Sequence, residues 1–162
     1  MGLAKKIETV AFLIDTFSAG RADLEDMARK IKGEWEMEED AITIVRDSRR
    51  AELNRVIHAT RAFDTGLRLF LDKFHHRGAN SHSITDYVKD LQNNVNARTG
   101  FNQLPGTIAP LIKTEVTDKR NQYCHASGAF PTKGEADFVI SRILHYYILV
   151  LGLKKRFSKQ LA

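Results

Sequence analysis

With 162 residues, 43% apolar and 28% charged, the chain has the makeup of one globular domain large enough to bury a core. A net charge of +5 permits an anionic partner such as RNA without requiring one. Cys124 is the only cysteine, which excludes an intrachain disulfide and suggests a reducing compartment. The longest apolar run, YYILVLGL, is far too short to span a bilayer. Glu8 and Asp15 bracket too short an apolar stretch for a signal peptide, and Lys6 stands where a myristoylation signal needs Ser or Thr. The expectation is a soluble, cytoplasmic protein with no membrane partner.

Helical periodicity runs through the chain. Ile7, Val10, Ile14, Phe17, Arg21, Leu24, Ala28 and Ile31 alternate steps of three and four, and the register passes Ser18–Gly20 unchanged. This favours one long helix over roughly 3–32. The acidic EWEMEED segment reads as a solvated loop and helix start. Leu53, Val56, Thr60, Phe63, Leu67, Phe70 and Phe74 repeat the pattern, giving a second long helix over roughly 40–77, near-antiparallel to the first. After the turn HHRGANSHS, Ser83 and Asp86 form a capping-box pattern for a short helix burying Ile84, Tyr87, Leu91 and Val95. NARTGFNQLPG reads as a loop.

Thr107 is placed to cap the next helix, with Ile108, Leu111, Ile112, Val116 and Tyr123 on its apolar face and Gly128 as its stop. Thr132 and Glu135 form a second capping box. The helix they open, ending near Leu151 and Gly152, is apolar nearly all round, Phe138 included, as suits a central or interface helix. No strand pattern competes. The fold class expected is an all-α bundle of about five helices. It forms a single domain over 1–153 followed by a basic tail, 154–162.

Three groups carry possible chemistry. His75, His76 and His82 crowd one turn, but His75 and His76 are adjacent and diverge on a helix, and histidine at a helix C-terminus is favoured electrostatically without any metal. Cys124 and His125 are sequence neighbours and do not face each other on a helix, so a small apolar role suits Cys124 better than a nucleophilic one. The third group is Arg120, Asn121 and His125 in DKRNQYCHASG. Asn121 and His125 are four apart and share a helix face, and Arg120 can reach the same solvent. A bidentate phosphate-gripping arginine beside a histidine suits phosphodiester chemistry. RNA can be cleaved without metal by its own 2′-hydroxyl, given a base, an acid and a cation. The spacing alone decides nothing, because Arg77–His82 and Arg68–His75 match it too, and a self-capping helix end explains the same residues.

Asn121 directly after Arg120 separates the third match from the others, where Gly78 and Leu69 follow the arginine. With the apolar helix that follows, RNQYCH resembles the HEPN superfamily, helical domains that include many metal-independent endoribonucleases. Their signature is Arg, four to six residues, then His, with a polar residue after the Arg. The specific likeness spans about thirty-five residues, around the motif and the helix after it.

The resemblance implies an all-helical endoribonuclease without cofactor or metal, in which Arg120 and His125 are catalytic and Asn121 holds the histidine or the phosphate. It further implies a homodimer whose two motifs line one cleft, and a setting in toxin–antitoxin systems or antiviral defence, with an antitoxin or other regulatory protein as partner. In one branch a tyrosine two residues after the histidine is modified by a nucleotidyltransferase antitoxin; here that position is Ser127, which counts against that partner. Lys119 and Lys113 are candidates for extra RNA affinity, set against their ordinary role on a solvated helix face. Two other readings stand beside the nuclease: a non-catalytic HEPN-like module binding nucleotide, RNA or a partner protein, and an unrelated helical interaction protein.

Overall fold

A computed structural model describes residues 2–93, 103–125 and 128–153. Helix α1, Leu3–Ser18, buries Val10 and Ile14 and ends at a sharp elbow. Gly20 takes a left-handed φ of +81°, a conformation that terminates helices. Its N–H donates to Glu25 Oε1 at 3.0 Å. The single helix expected over 3–32 is therefore two. Helix α2, Ala22–Ile44, starts after the elbow with Asp23 and Glu25 in its first turn, where the helix dipole favours carboxylates. The apolar register survives the break because both helices bury the same stripe, so the periodicity reported burial rather than continuity.

The EWEMEED segment is also corrected. It lies within α2, and Ile31, Trp35, Glu38 and Ala41 continue the buried stripe. Glu38 occupies an inward position because a cation on the next helix meets it. That helix, α3, spans Ser48–Lys73 rather than 40–77; Asp47 caps it, its Oδ1 accepting from the Arg49 N–H at 2.9 Å. At the other end His75 adopts a φ of +58°, and the His76 N–H donates back to the Leu71 carbonyl at 2.9 Å.

Helix α4, Ile84–Asn93, buries Ile84, Tyr87, Val88 and Leu91. The Asp86 N–H reaches Ser83 Oγ at 3.3 Å, the first half of the expected box, and Asp86 Oδ2 accepts from the His82 N–H. Val95, most of the NARTGFNQLPG loop and the basic tail fall outside the described residues. Helix α5, Ile108–Ile112, runs through a π-helical turn at Lys113–Thr117 into α6, Asp118–His125. Thr107 does not cap it: the residue is itself helical and its side chain makes no capping bond. Ile112, Val116 and Tyr123 are buried, while Leu111, adjacent to Ile112 and so about 100° round the helix from it, is 40% exposed.

Helix α7, Lys133–Gly152, begins with the complete capping box of Thr132 and Glu135. Thr132→Ala is expected to cost about 1 kcal/mol, a drop of about 2–4 °C in melting temperature at this chain length, read by thermal unfolding. Phe138 is 49% exposed, so the helix is less uniformly apolar in its surroundings than its sequence suggests. Its second half is central, with Tyr146 and Tyr147 fully buried. Among the described residues the architecture is an all-α bundle, with α3 packed along both α2 and α7. No helix of it is long and apolar enough to cross a membrane.

Candidate functional site

The polar flank of α3, beside its core stripe, forms one wall of a cavity of about 510 Å³. The loop and first turn leading into α4 form a second wall, and the π turn with α6 a third. Arg61 and Asp64 face it from α3, His82 and Ser83 from the approach to α4, and Arg120 and Asn121 from α6. Packing of Tyr123 into the core sets the rotation of α6, turning Arg120 and Asn121 towards this space. π-helical turns recur at functional sites because they re-aim the following helix.

The Arg120 Nη1 donates to Asn121 Oδ1 at 3.0 Å, so the asparagine orients the guanidinium beside it. Asp64 is half-buried; burial pushes its carboxyl above the usual range, while the charges of Arg68 and Arg120 pull it down. Among the described residues no hydrogen bond acts on it. Glu34, also at the cavity, is engaged elsewhere, its Oε2 lying 2.7 Å from His58 Nδ1. Thr117 Oγ1 is buried beneath the wall, without a hydrogen-bond partner among the described residues.

The structure brings Arg120 and Asn121 together and leaves His125 apart. His125 is the last residue of α6, exposed, and outside the cavity lining. It continues the face of Asn121 one turn further along the helix. The two lysines also lie elsewhere. Lys113 sits 2.7 Å from Asp118 and lines a separate, largely apolar hollow with Val88 and Ile112. Lys119 is half-buried and its charge helps to hold the Glu135 carboxyl low, behind that group's own bonds to Thr132. Cys124 is half-buried.

The rival arginines are committed to carboxylates. Arg77 and Arg68 both pair with Asp72, leaving Arg120 as the arginine of the three spacing matches that faces a cavity. Arg61, Asp64 and His82 were not singled out together by the sequence. The available signal was the flank of α3 next to the core stripe, where Arg61, Asp64 and Arg68 follow helical steps. No family model, curated protein or solved structure matches the chain.

Proposed function

We propose that the chain is a metal-independent endoribonuclease resembling the HEPN type, working as a homodimer in which each copy lends one histidine to a composite site. The observation that supports it is Arg120: oriented by Asn121, it turns towards a solvent-reachable cavity, while His125 stands exposed on the same helix. One histidine removes the 2′-hydroxyl proton, and the 2′-oxygen attacks the adjacent phosphorus. The bond from phosphorus to the 5′-oxygen breaks as the second histidine donates its proton to that oxygen, leaving a 2′,3′-cyclic phosphate and a 5′-hydroxyl. Arg120 stabilises the charge that builds on the phosphoryl oxygens. Such an activity suits a toxin or phage-defence effector restrained by an antitoxin or other regulatory protein.

The test is cleavage of a labelled structured RNA in EDTA by the native protein, His125→Ala and Arg120→Ala at matched fold and dimer content. Cleavage leaving cyclic-phosphate ends is expected, falling at least about a hundredfold in each variant. RNA left intact across several substrates by folded, dimeric protein sinks the proposal. The second reading, a binding module without catalysis, is favoured by one observation: His125 does not line the cavity that Arg120 faces.

A further inference from the structure

The groups that converge on the cavity are mismatched as a set and under-partnered. A half-buried carboxylate facing the same cavity as guanidinium donors with bonds to spare favours an occupant able to meet both. Here the Asp64 carboxylate is half-buried, and among the described residues no hydrogen bond acts on it. Arg61 is exposed at the cavity with its donors open to an anion, and Arg120 keeps donors beyond the one given to Asn121. A simple anion would satisfy the arginines and be repelled by Asp64. A simple cation would do the reverse. A ligand that carries an anionic group at one end and N–H donors at the other satisfies both.

We infer that this cavity receives a single unpaired guanine nucleotide of the RNA substrate, its phosphate against Arg61 and Arg120 and its base edge on Asp64. The inference rests on the nuclease reading for its RNA and on the cavity for its base. An ionised carboxylate offers acceptors only. Guanine presents two adjacent N–H donors on its Watson–Crick edge, matching the two carboxylate oxygens. Adenine and cytosine place a bare ring nitrogen beside the amino group, which would face the second oxygen. Uracil flanks its one N–H with carbonyls. Ile57 and Ile84 supply apolar wall for the base. A space of about 510 Å³ suits one nucleotide and excludes a duplex, so the base must come from a single strand, loop or bulge.

The experiment is calorimetric titration of GMP, AMP, CMP, UMP and inorganic phosphate into the native protein, Asp64→Asn and Asp64→Ala, with fold checked by circular dichroism. GMP is expected to bind at least about tenfold tighter than UMP, with the advantage shrinking to about threefold or less in Asp64→Asn while UMP affinity holds. Asp64→Asn keeps the volume and so covers the case in which the alanine variant fails to fold. Equal binding of the four nucleotides, phosphate binding as tightly as GMP, no binding at millimolar GMP, or a preference untouched by both variants each overturns the inference. Protein that cleaves RNA yet shows no GMP preference keeps the nuclease and loses the pocket. Protein that prefers GMP through Asp64 yet leaves RNA intact keeps the pocket and loses the nuclease.

Discussion

Replacing Gly66 with alanine is expected to destabilise the fold by at least about 3 kcal/mol, lowering the melting temperature by about 6–12 °C. Gly66 lies on the buried face of α3, where α7 crosses. A Cβ there would fall on the Tyr147 ring itself, on its ring carbons as well as its hydroxyl. Tyr147 has nowhere to go. It is fully buried, its hydroxyl donates to the Ala62 carbonyl at 3.0 Å, and its ring packs on Phe63 with centroids 5.5 Å apart. The helices must therefore separate or the tyrosine must abandon both contacts. Shrinking the partner should recover part of the loss, so Gly66→Ala with Tyr147→Leu is expected to be more stable than the sum of the two single effects. A Gly66→Ala protein that melts within about a degree of native would contradict this packing.

Arg55→Met is expected to cost about 3–5 kcal/mol, the usual consequence of leaving buried carboxylates without their cation. Arg55 is the buried tie between three helices: it bonds Glu38 on α2 and Glu52 on α3, each at 2.8 Å, and meets Asp137 on α7 at 2.9 Å. Burial alone would lower the affinity of its guanidinium for a proton, but the bonds to Glu52 and Glu38 outweigh it and the group is held more firmly charged. Glu38 shows the opposite balance. Burial raises its carboxyl above the ordinary range even though Arg55 pulls it down.

A carboxyl whose folded-state pKa is raised stabilises the fold below its unfolded pKa and loses that contribution as pH climbs through the folded value. Losing Arg55 raises the Glu38 value further, so the deficit of Arg55→Met should be greatest at neutral pH and shrink on acidification. Urea unfolding of both proteins at neutral and mildly acidic pH measures it. A deficit that grows on acidification contradicts the assignment. Adding Glu38→Gln to Arg55→Met should restore part of the stability at neutral pH, since the stranded charge is removed.

Glu38 also explains where the sequence misleads. A glutamate inside an acidic run reads as solvated, and its inward position becomes intelligible only once Arg55, seventeen residues on, lies against it. The elbow at Gly20 hides for a different reason, because an apolar stripe records which side is buried and is blind to a change of direction that preserves it. The π turn at Lys113–Thr117 leaves no mark in composition, and Leu111, just ahead of it and beside buried Ile112, faces outward where its spacing had assigned it to the core.

Local chemistry, by contrast, is readable residue by residue. The all-α class, the Thr132–Glu135 box and the buried second half of α7 all depend on neighbours within a few positions, and all are present in the folded chain. That Arg120, Asn121 and His125 share one helix is legible on the same ground, since six residues contain them, and the structure joins the first two of them. The surroundings of that group are of another kind. Arg61, Asp64, His82 and Thr117 come to it from α3, the approach to α4 and the π turn, with up to about sixty residues of chain between them. Helical steps specify which residues share a face. Which faces meet, and whether His125 joins the cavity or stands outside it, is decided by how bulky core residues such as Tyr123 and Tyr147 seat one helix against another, and that is a property of the packed tertiary structure alone.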